Sequence, residues 1–216
     1  ALEVTKIYSI SGNLPLRQSL IKIRPFRSPH HTISRVGLIG GGTHPLPGEI
    51  SLAHRGALFL DEFPEFPRSV LEALRQPMED GYVTVSRAAG TCTFPAKFIL
   101  IAAANPCPCG YLGDSKHQCR CSPGQIARYQ KRISGPMMDR IDLHLEVPAV
   151  EVEKLTGEKE ERERITSAQM RERVQKARQY QQKRFAKTKL TCNAEMGTQQ
   201  VKQYCQLSQD ARRLLN

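Results

Sequence analysis

Asp61 and Glu62 stand side by side at the end of a short apolar run, Gly56-Ala57-Leu58-Phe59-Leu60. A run that short and that apolar predicts a strand buried on both faces, as in a parallel sheet. Strands of such sheets present functional groups at their carboxyl ends, in the crevice where ligands bind. Two carboxylates are costly to bury there without a cation or a reacting water. An Asp in that place can hold Mg2+ on a nucleotide, and the Glu after it can polarise an attacking water. A second apolar run, Phe98 to Ala103, is followed by Asn105, whose amide can hydrogen-bond a phosphate oxygen or that water. Taken singly, a solvated acidic turn and an Asn capping the turn before Pro106 are the plainer readings.

A second constellation follows directly. In CPCGYLGDSKHQCRC, Cys107, Cys109, Cys119 and Cys121 form two C-x-C pairs across a short loop, with His117 as a spare ligand. Four thiolates suffice for a closed tetrahedral Zn2+ site. C-x-C spacing strains chelation of one ion, so reduced thiols without metal stand as an equal alternative. An iron–sulfur cluster fits less well without C-x2-C runs. Adjacent His30 and His31 lack a second spaced pair, which favours ordinary polar contacts over metal binding.

Arg140 is the remaining chemical candidate. It sits in SGPMMDRIDLHLEV, just before a predicted strand that alternates Ile141, Leu143, Leu145 and Val147. Its plain reading is an ion pair with Asp139 or Asp142.

The elements that must position these residues can be read in outline. Residues 1–12 predict a helix end, with Leu2, Ile7 and Ile10 near helical spacing and Gly12 as its stop. The stretch from Ile23 to His31 is basic and proline-punctuated, hence extended. Residues 37–49 (GLIGGGTHPLPGE) read as a flexible loop; the phosphate-cradling pattern G-x-x-x-x-G-K-[ST] does not occur in this sequence. Val70, Leu71, Leu74 and Met78 make an apolar helical stripe that Gly81 ends and Pro77 distorts. YVTVSRAAGTCTFP predicts a hairpin turning at Ala88-Ala89-Gly90, and residues 123–133 predict a basic helix. Residues 151–187, dense in Glu, Lys and Arg, predict a long solvated helix, and residues 193–216 a further helical pair.

Composition sets the outer bounds. The 216 residues are 39% hydrophobic and 25% charged, with a net charge of +11. That balance is ordinary for a globular protein, and the positive charge points to a polyanionic partner, most simply nucleic acid. No apolar run approaches the length of a membrane span and no signal-peptide layout opens the chain, so a cytoplasmic protein without membrane contact is expected. Seven cysteines then point to metal or free thiols rather than a disulfide framework.

Taken in order, GEISLAHRGALFLDE (48–62), LRQPMEDG (74–81), AAANPCPCG (102–110) and GPMMDRIDLHLEVP (135–148) resemble the Mg-chelatase-like AAA+ ATPases, and within them the ComM/YifB branch. The resemblance runs over almost the whole chain. It implies an α/β fold, an AAA+ P-loop-type parallel sheet flanked by helices, incomplete here and followed by a small helical lid. Residues 1–149 would be the partial core, with pore-facing insertions at about 33–52 and 83–94, and residues 150–216 the truncated lid. By the same resemblance Asp61 and Glu62 are the pair that holds Mg2+ and orients water, and Asn105 senses the γ-phosphate. Arg140 is the finger that reaches a neighbouring subunit's nucleotide, worth on the order of 10³–10⁵ in rate in related enzymes.

The implied cofactors are ATP and Mg2+, and the implied activity is ATP hydrolysis by a ring, a hexamer, moving on single-stranded or branched DNA. For the named branch this means branch migration or helicase action in recombination of incoming DNA. A chelatase-type ATPase that remodels another protein is the first alternative; a zinc-stabilised nucleic-acid-binding module is the second. Family members also carry a Gly-Lys-Ser/Thr phosphate loop upstream, a Lon-like N-terminal domain, and a second sensing arginine downstream. The expectation is therefore an excised piece of a longer protein, inactive by itself.

Overall fold

The computed structural model describes residues 1–16, 19–88, 90–114, 116–147 and 165–215. The chain divides into two compact units, Ala1–Ala149 and Val150–Asn216.

The first unit is built on a three-stranded parallel sheet. Its strands are β1 (Phe26–Arg27), β4 (Ala57–Leu60) and β7 (Ile99–Ala102), in the order β1-β4-β7. The register pairs Phe26 with Ala57 on one side of β4, and Ala57 with Ile99 through Leu60 with Ala102 on the other. Leu58 and Leu60 are fully buried, each worth about 1.5–3 kcal/mol relative to exposure, while Ala57 and Phe59 are half-buried. One face of β4 is thus sealed and the other partly covered. The expectation of burial on both faces fails for β7, where Ile99 is 61% and Ile101 44% exposed. As an edge strand of this sheet β7 has a neighbour on one side only, and the described residues cover these two side chains only in part.

Between β1 and β4 lie α2 (Arg35–Ile39), the short antiparallel pair β2 (Gly40–Gly41) and β3 (Leu46–Pro47), and α3 (Glu49–Leu52). Residues 37–49 are therefore a folded insertion rather than a bare loop. Leu38 and Ile50 are both fully buried in the core and anchor its two ends. Gly40 makes the tight return between them: its φ is +110°, and a Cβ there would meet the Leu46 carbonyl oxygen at 2.4 Å.

After β4 the chain forms a 3-10 turn (Phe63–Glu65), then α4 (Arg68–Ala73) and α5 (Arg75–Asp80). The apolar stripe is continuous in sequence, but the helix breaks at Leu74, three residues before Pro77, whose ring and missing N–H disfavour a continuous helix. The hairpin β5 (Tyr82–Arg87) and β6 (Gly90–Pro95) pairs through six residues a side and buries Val83, Val85 and Phe94; Ala89 of its turn lies outside the described residues. Helix α1 (Leu2–Ile10) packs through Val4 and Ile7, whereas Leu2 and Ile10 are exposed.

Helix α6 (Pro123–Gln130) starts at a reciprocal cap. Ser122 Oγ accepts the Gln125 N–H at 3.3 Å, and Gln125 Oε1 accepts the Ser122 N–H at 2.8 Å. After α7 (Gly135–Met138) the predicted strand at 141–147 does not form. Ile141 packs on the core, but Leu143, Leu145 and Val147 are 79%, 84% and 89% exposed. Alternation gives a segment the capacity to be a strand; without a neighbour to share its hydrogen bonds it gains nothing by becoming one. Among the described residues no strand lies beside it.

The second unit is helical: α8 (Ser167–Arg184), a 3-10 turn at Asn193–Glu195, α9 (Thr198–Tyr204) and α10 (Gln209–Leu215). Helix α8 has no buried residue, as its charge-laced sequence predicts. The first part of that charged stretch, residues 148–164, and the domain boundary within it lie outside the described residues. Phe185, 2% exposed, and Tyr204 meet edge to face at 5.5 Å in this unit. No described helix is long and apolar enough to cross a membrane.

Candidate functional site

The parallel register brings the carboxyl ends of β4 and β7 side by side. Beyond the last strand pair the backbones stay joined: Ala103 N–H donates to Leu60 O at 2.9 Å and Phe63 N–H to Ala103 O at 2.8 Å. Asp61 and Glu62 are held in the bend between these two bonds, both exposed. Asp61 Oδ1 accepts the Glu62 N–H at 2.9 Å. Glu62 is in the left-handed region at φ 51°, one of two non-glycine residues so placed among those described. Such a backbone is uncommon outside Gly, Asn and Asp, and here the flanking bonds impose it.

The Glu62 carboxylate meets His31 Nδ1 at 2.8 Å. His31 follows β1, the other neighbour of β4, so three adjacent strand ends contribute to one place. Its ring also lies 4.0 Å from that of His30 and edge-on to Phe66 at 6.4 Å. The polar-contact reading of the histidine pair thus acquires a specific partner. Nothing local in the sequence marks His31; only the strand order places it against Glu62.

Asn105 is exposed, three residues beyond β7. Its backbone N–H donates to the hydroxyl of Tyr129 on α6. Burial, with Glu65 nearby, pushes the Tyr129 hydroxyl above its ordinary value. Oxygen ligands on Asp61, Glu62 and Asn105, open to solvent at one sheet end, suit a hard cation, and the Asn105 amide N–H can donate to a phosphate oxygen.

Arg140 lies elsewhere in its hydrogen bonding. Its guanidinium donates to the Glu79 carboxylate on α5 and to the Pro136 carbonyl, and its buried Nε has no partner. The plain pairing with Asp139 or Asp142 is replaced by one with Glu79 of α5, sixty-one residues earlier in the chain.

Beside the strand ends, Phe66, Arg68 and the face of α6 and its exit carrying Gly124, Ala127, Arg128, Lys131 and Arg132 enclose a hollow of about 470 Å³. Arg132 pairs with Glu65 at 2.7 Å. The four cations make this hollow suited to phosphate groups.

The loop between Asn105 and α6 gathers the four cysteines. Their sulfurs all lie within 4.8 Å of one another. Backbone N–H groups of Tyr111 and Arg120 hold the Cys109 thiol down to about 6. Cys121 is pushed up to about 12 by burial, and by its fellow thiols. The Cys121 N–H favours the Cys119 thiolate, but burial and the thiols of Cys109 and Cys107 together outweigh it and raise Cys119. His117 is turned away, with Nδ1 3.5 Å from Asp114 and its ring 4.9 Å from that of Tyr111.

Comparison with known proteins gives consistent matches. The family described as magnesium chelatase, subunit ChlI, matches residues 1–155, and its C-terminal companion matches residues 164–216. Competence protein ComM of Haemophilus influenzae is 47% identical over 210 residues, which cover 96% of this chain and 39% of that protein. YifB of Escherichia coli is 45% identical over 217 residues, covering 98% and 40%. YifB of Salmonella typhimurium is 44% identical over 215 residues, covering 100% and 41%. The chain thus spans about two fifths of the length of these curated relatives.

Proposed function

The chain belongs to the magnesium chelatase family of subunit ChlI, and from that membership we propose that it forms the catalytic core of a ring-forming, ATP- and Mg2+-dependent motor that acts on DNA. The observation that carries this is the set of oxygen donors at the joined ends of β4 and β7. Asp61 would hold the Mg2+ of the nucleotide, and Glu62 would take the proton of the attacking water. Asn105 would hydrogen-bond the terminal phosphate. Bound Mg2+ supplies charge neutralisation on the phosphates as the bond breaks. Arg140 would act on the nucleotide of a neighbouring subunit in a hexameric ring, once released from Glu79.

DNA as the substrate draws on the charge of the chain, on where that charge is concentrated, and on a relative. The chain carries a net charge of +11. Arg68, Arg128, Lys131 and Arg132 crowd one hollow, and α8 adds Arg171, Arg173, Lys176, Arg178, Lys183 and Arg184 against the single acid Glu172. Neutralising phosphates is the dominant sequence-independent contribution to DNA binding. A relative at 47% identity bears the name of a competence protein, which fits work on incoming DNA by branch migration in the cytoplasm.

The test is ATP hydrolysis by the whole protein with and without branched or single-stranded DNA, across a range of salt. DNA-stimulated, Mg2+-dependent turnover that weakens with salt is expected. Turnover indifferent to DNA would move the reading to remodelling of a protein partner. The 216-residue chain alone is expected not to turn ATP over, since no Gly-Lys-Ser/Thr loop occurs in its sequence.

A further inference from the structure

Three of the four sulfurs in the loop after Asn105 are spaced like ligands around one ion, and the fourth, on Cys121, lies within 4.8 Å of each of them. Cys107 and Cys109 are 3.4 Å apart, Cys109 and Cys119 3.6 Å, and Cys107 and Cys119 3.7 Å. A disulfide needs about 2.0 Å, so these contacts are not disulfides. Four sulfurs each about 2.3 Å from one Zn2+ sit about 3.8 Å apart at the corners of a tetrahedron. In the first C-x-C pair the strain expected from this spacing is taken up by a backbone turn. Gly110 N–H donates to Cys107 O at 3.0 Å, and backbone N–H groups point at the sulfurs of Cys109, Cys119 and Cys121. Donors so aimed stabilise thiolates. With His117 facing Asp114 and Tyr111, the donor set is all sulfur, which favours zinc over a hard cation such as Mg2+.

We propose that Cys107, Cys109, Cys119 and Cys121 bind one Zn2+ as a tetrathiolate, and that the ion clasps the end of β7 to the start of α6. Cys107, fully buried, is two residues from Asn105. Cys121 immediately precedes Ser122, the capping residue of α6. The described residues of 106–122 contain no helix or strand, and an irregular connection of that length is ordinarily mobile or functional. Fixing its two ends at one ion removes that freedom. The clasp keeps Tyr129, 6% exposed, over the Asn105 backbone it contacts. Zinc here is a positioning element for Asn105 and takes no part in hydrolysis. The metal site rests on the thiol geometry alone; only its meaning for phosphate sensing rests on the nucleotide reading above.

The experiment uses the chain purified under reducing conditions. Elemental analysis is expected to find one zinc per chain. Replacement by Co2+ is expected to give the intense visible bands of a tetrahedral thiolate site. Cys119→Ser and Cys121→Ser should lose stoichiometric metal, while Cys192→Ser and Cys205→Ser keep it. Bound iron, or less than stoichiometric zinc after anaerobic reconstitution, overturns the site, whether or not the variants fold. The clasp is read separately by amide hydrogen exchange. Removing zinc with a chelator should speed exchange at Asn105 and in the first turn of α6, and leave α8 unchanged. Unchanged exchange at Asn105 overturns the clasp even with zinc present. Neither readout depends on ATP hydrolysis, so failure here and failure of the motor reading are told apart.

Discussion

The Glu62 carboxylate is held 2.8 Å from His31 Nδ1, across the ends of two neighbouring parallel strands. The acid proposed to activate water is therefore engaged by a base in this arrangement. Both side chains keep solvent access, 50% for Glu62 and 28% for His31, so the pair is worth at most about 1 kcal/mol. A restraint of that size biases the carboxylate without locking it.

In the whole protein, Glu62→Gln is expected to preserve ATP binding while lowering turnover by about 10²-fold or more, the usual worth of a general base. His31→Ala frees the carboxylate and should raise basal turnover by roughly two- to fivefold, the factor that a surface ion pair commands. Steady-state hydrolysis and nucleotide-binding titrations on the two variants measure both effects. Undiminished turnover in Glu62→Gln would remove Glu62 from the chemistry, and a slower His31→Ala would make His31 an aid rather than a restraint.

Arg140 is bound to Glu79 within its own chain, yet the proposal needs it to serve a neighbour. Arg140→Ala should then cost on the order of 10³-fold in turnover, and mixing it with Glu62→Gln subunits should restore part of the loss. In one of its two orders a mixed interface joins an intact finger to an intact acid, which neither pure ring contains. Mixed rings as inactive as their parents would rule out action in trans.

What the sequence showed and what it hid divide along physical lines. Strand β4 was legible because Ala57–Leu60 is apolar and stops at two charges. The hairpin was legible from Val83 and Val85 alternating up to a small-residue turn. Residues 37–49 were misread as a loop because their glycines and prolines outnumber Leu38 and Ile50, the two side chains that anchor them. The 141–147 segment shows the converse: alternation records capacity for a ladder, and the ladder needs a partner. His31 was invisible as a neighbour of Glu62, and Tyr129 as a neighbour of Asn105, since both relationships arise from strand order and helix docking rather than spacing along the chain.

Gly56 sets the distance between β1 and β4. A Cβ there would lie 1.9 Å from the Pro25 carbonyl oxygen, the acceptor of the Ala57 N–H at 2.9 Å. Gly56→Ala must push the two strands apart, at about 1–3 kcal/mol or more. Gly124, in the first turn of α6, has nothing within 4 Å of the same atom. Gly124→Ala should therefore stabilise by up to about 1 kcal/mol. Urea unfolding of both variants makes the comparison; similar shifts would contradict the close approach at Gly56.

His54 gives the fold a predictable weakness to acid. It is 2% exposed, and its Nδ1 accepts the Lys97 N–H at 3.1 Å, which leaves Nε2 protonated to donate to Glu3 at 3.2 Å. Burial lowers its pKa below the ordinary value, outweighing the Glu3 carboxylate, while Arg55 and Lys97 add to the lowering. The unfolded chain thus takes up a proton near pH 6.5 that the folded chain resists. Stability from this residue is complete above that value and is lost as pH falls through the folded one. The Glu3 carboxyl, itself held below its usual range by His54 and Arg55, extends the loss in the same direction at lower pH. His54→Gln keeps a donor and an acceptor but cannot titrate, so its melting temperature should vary less than the wild type's between about pH 7 and pH 5. Parallel curves for the two proteins would show that His54 stays neutral at no cost, and would move the acid sensitivity to another group.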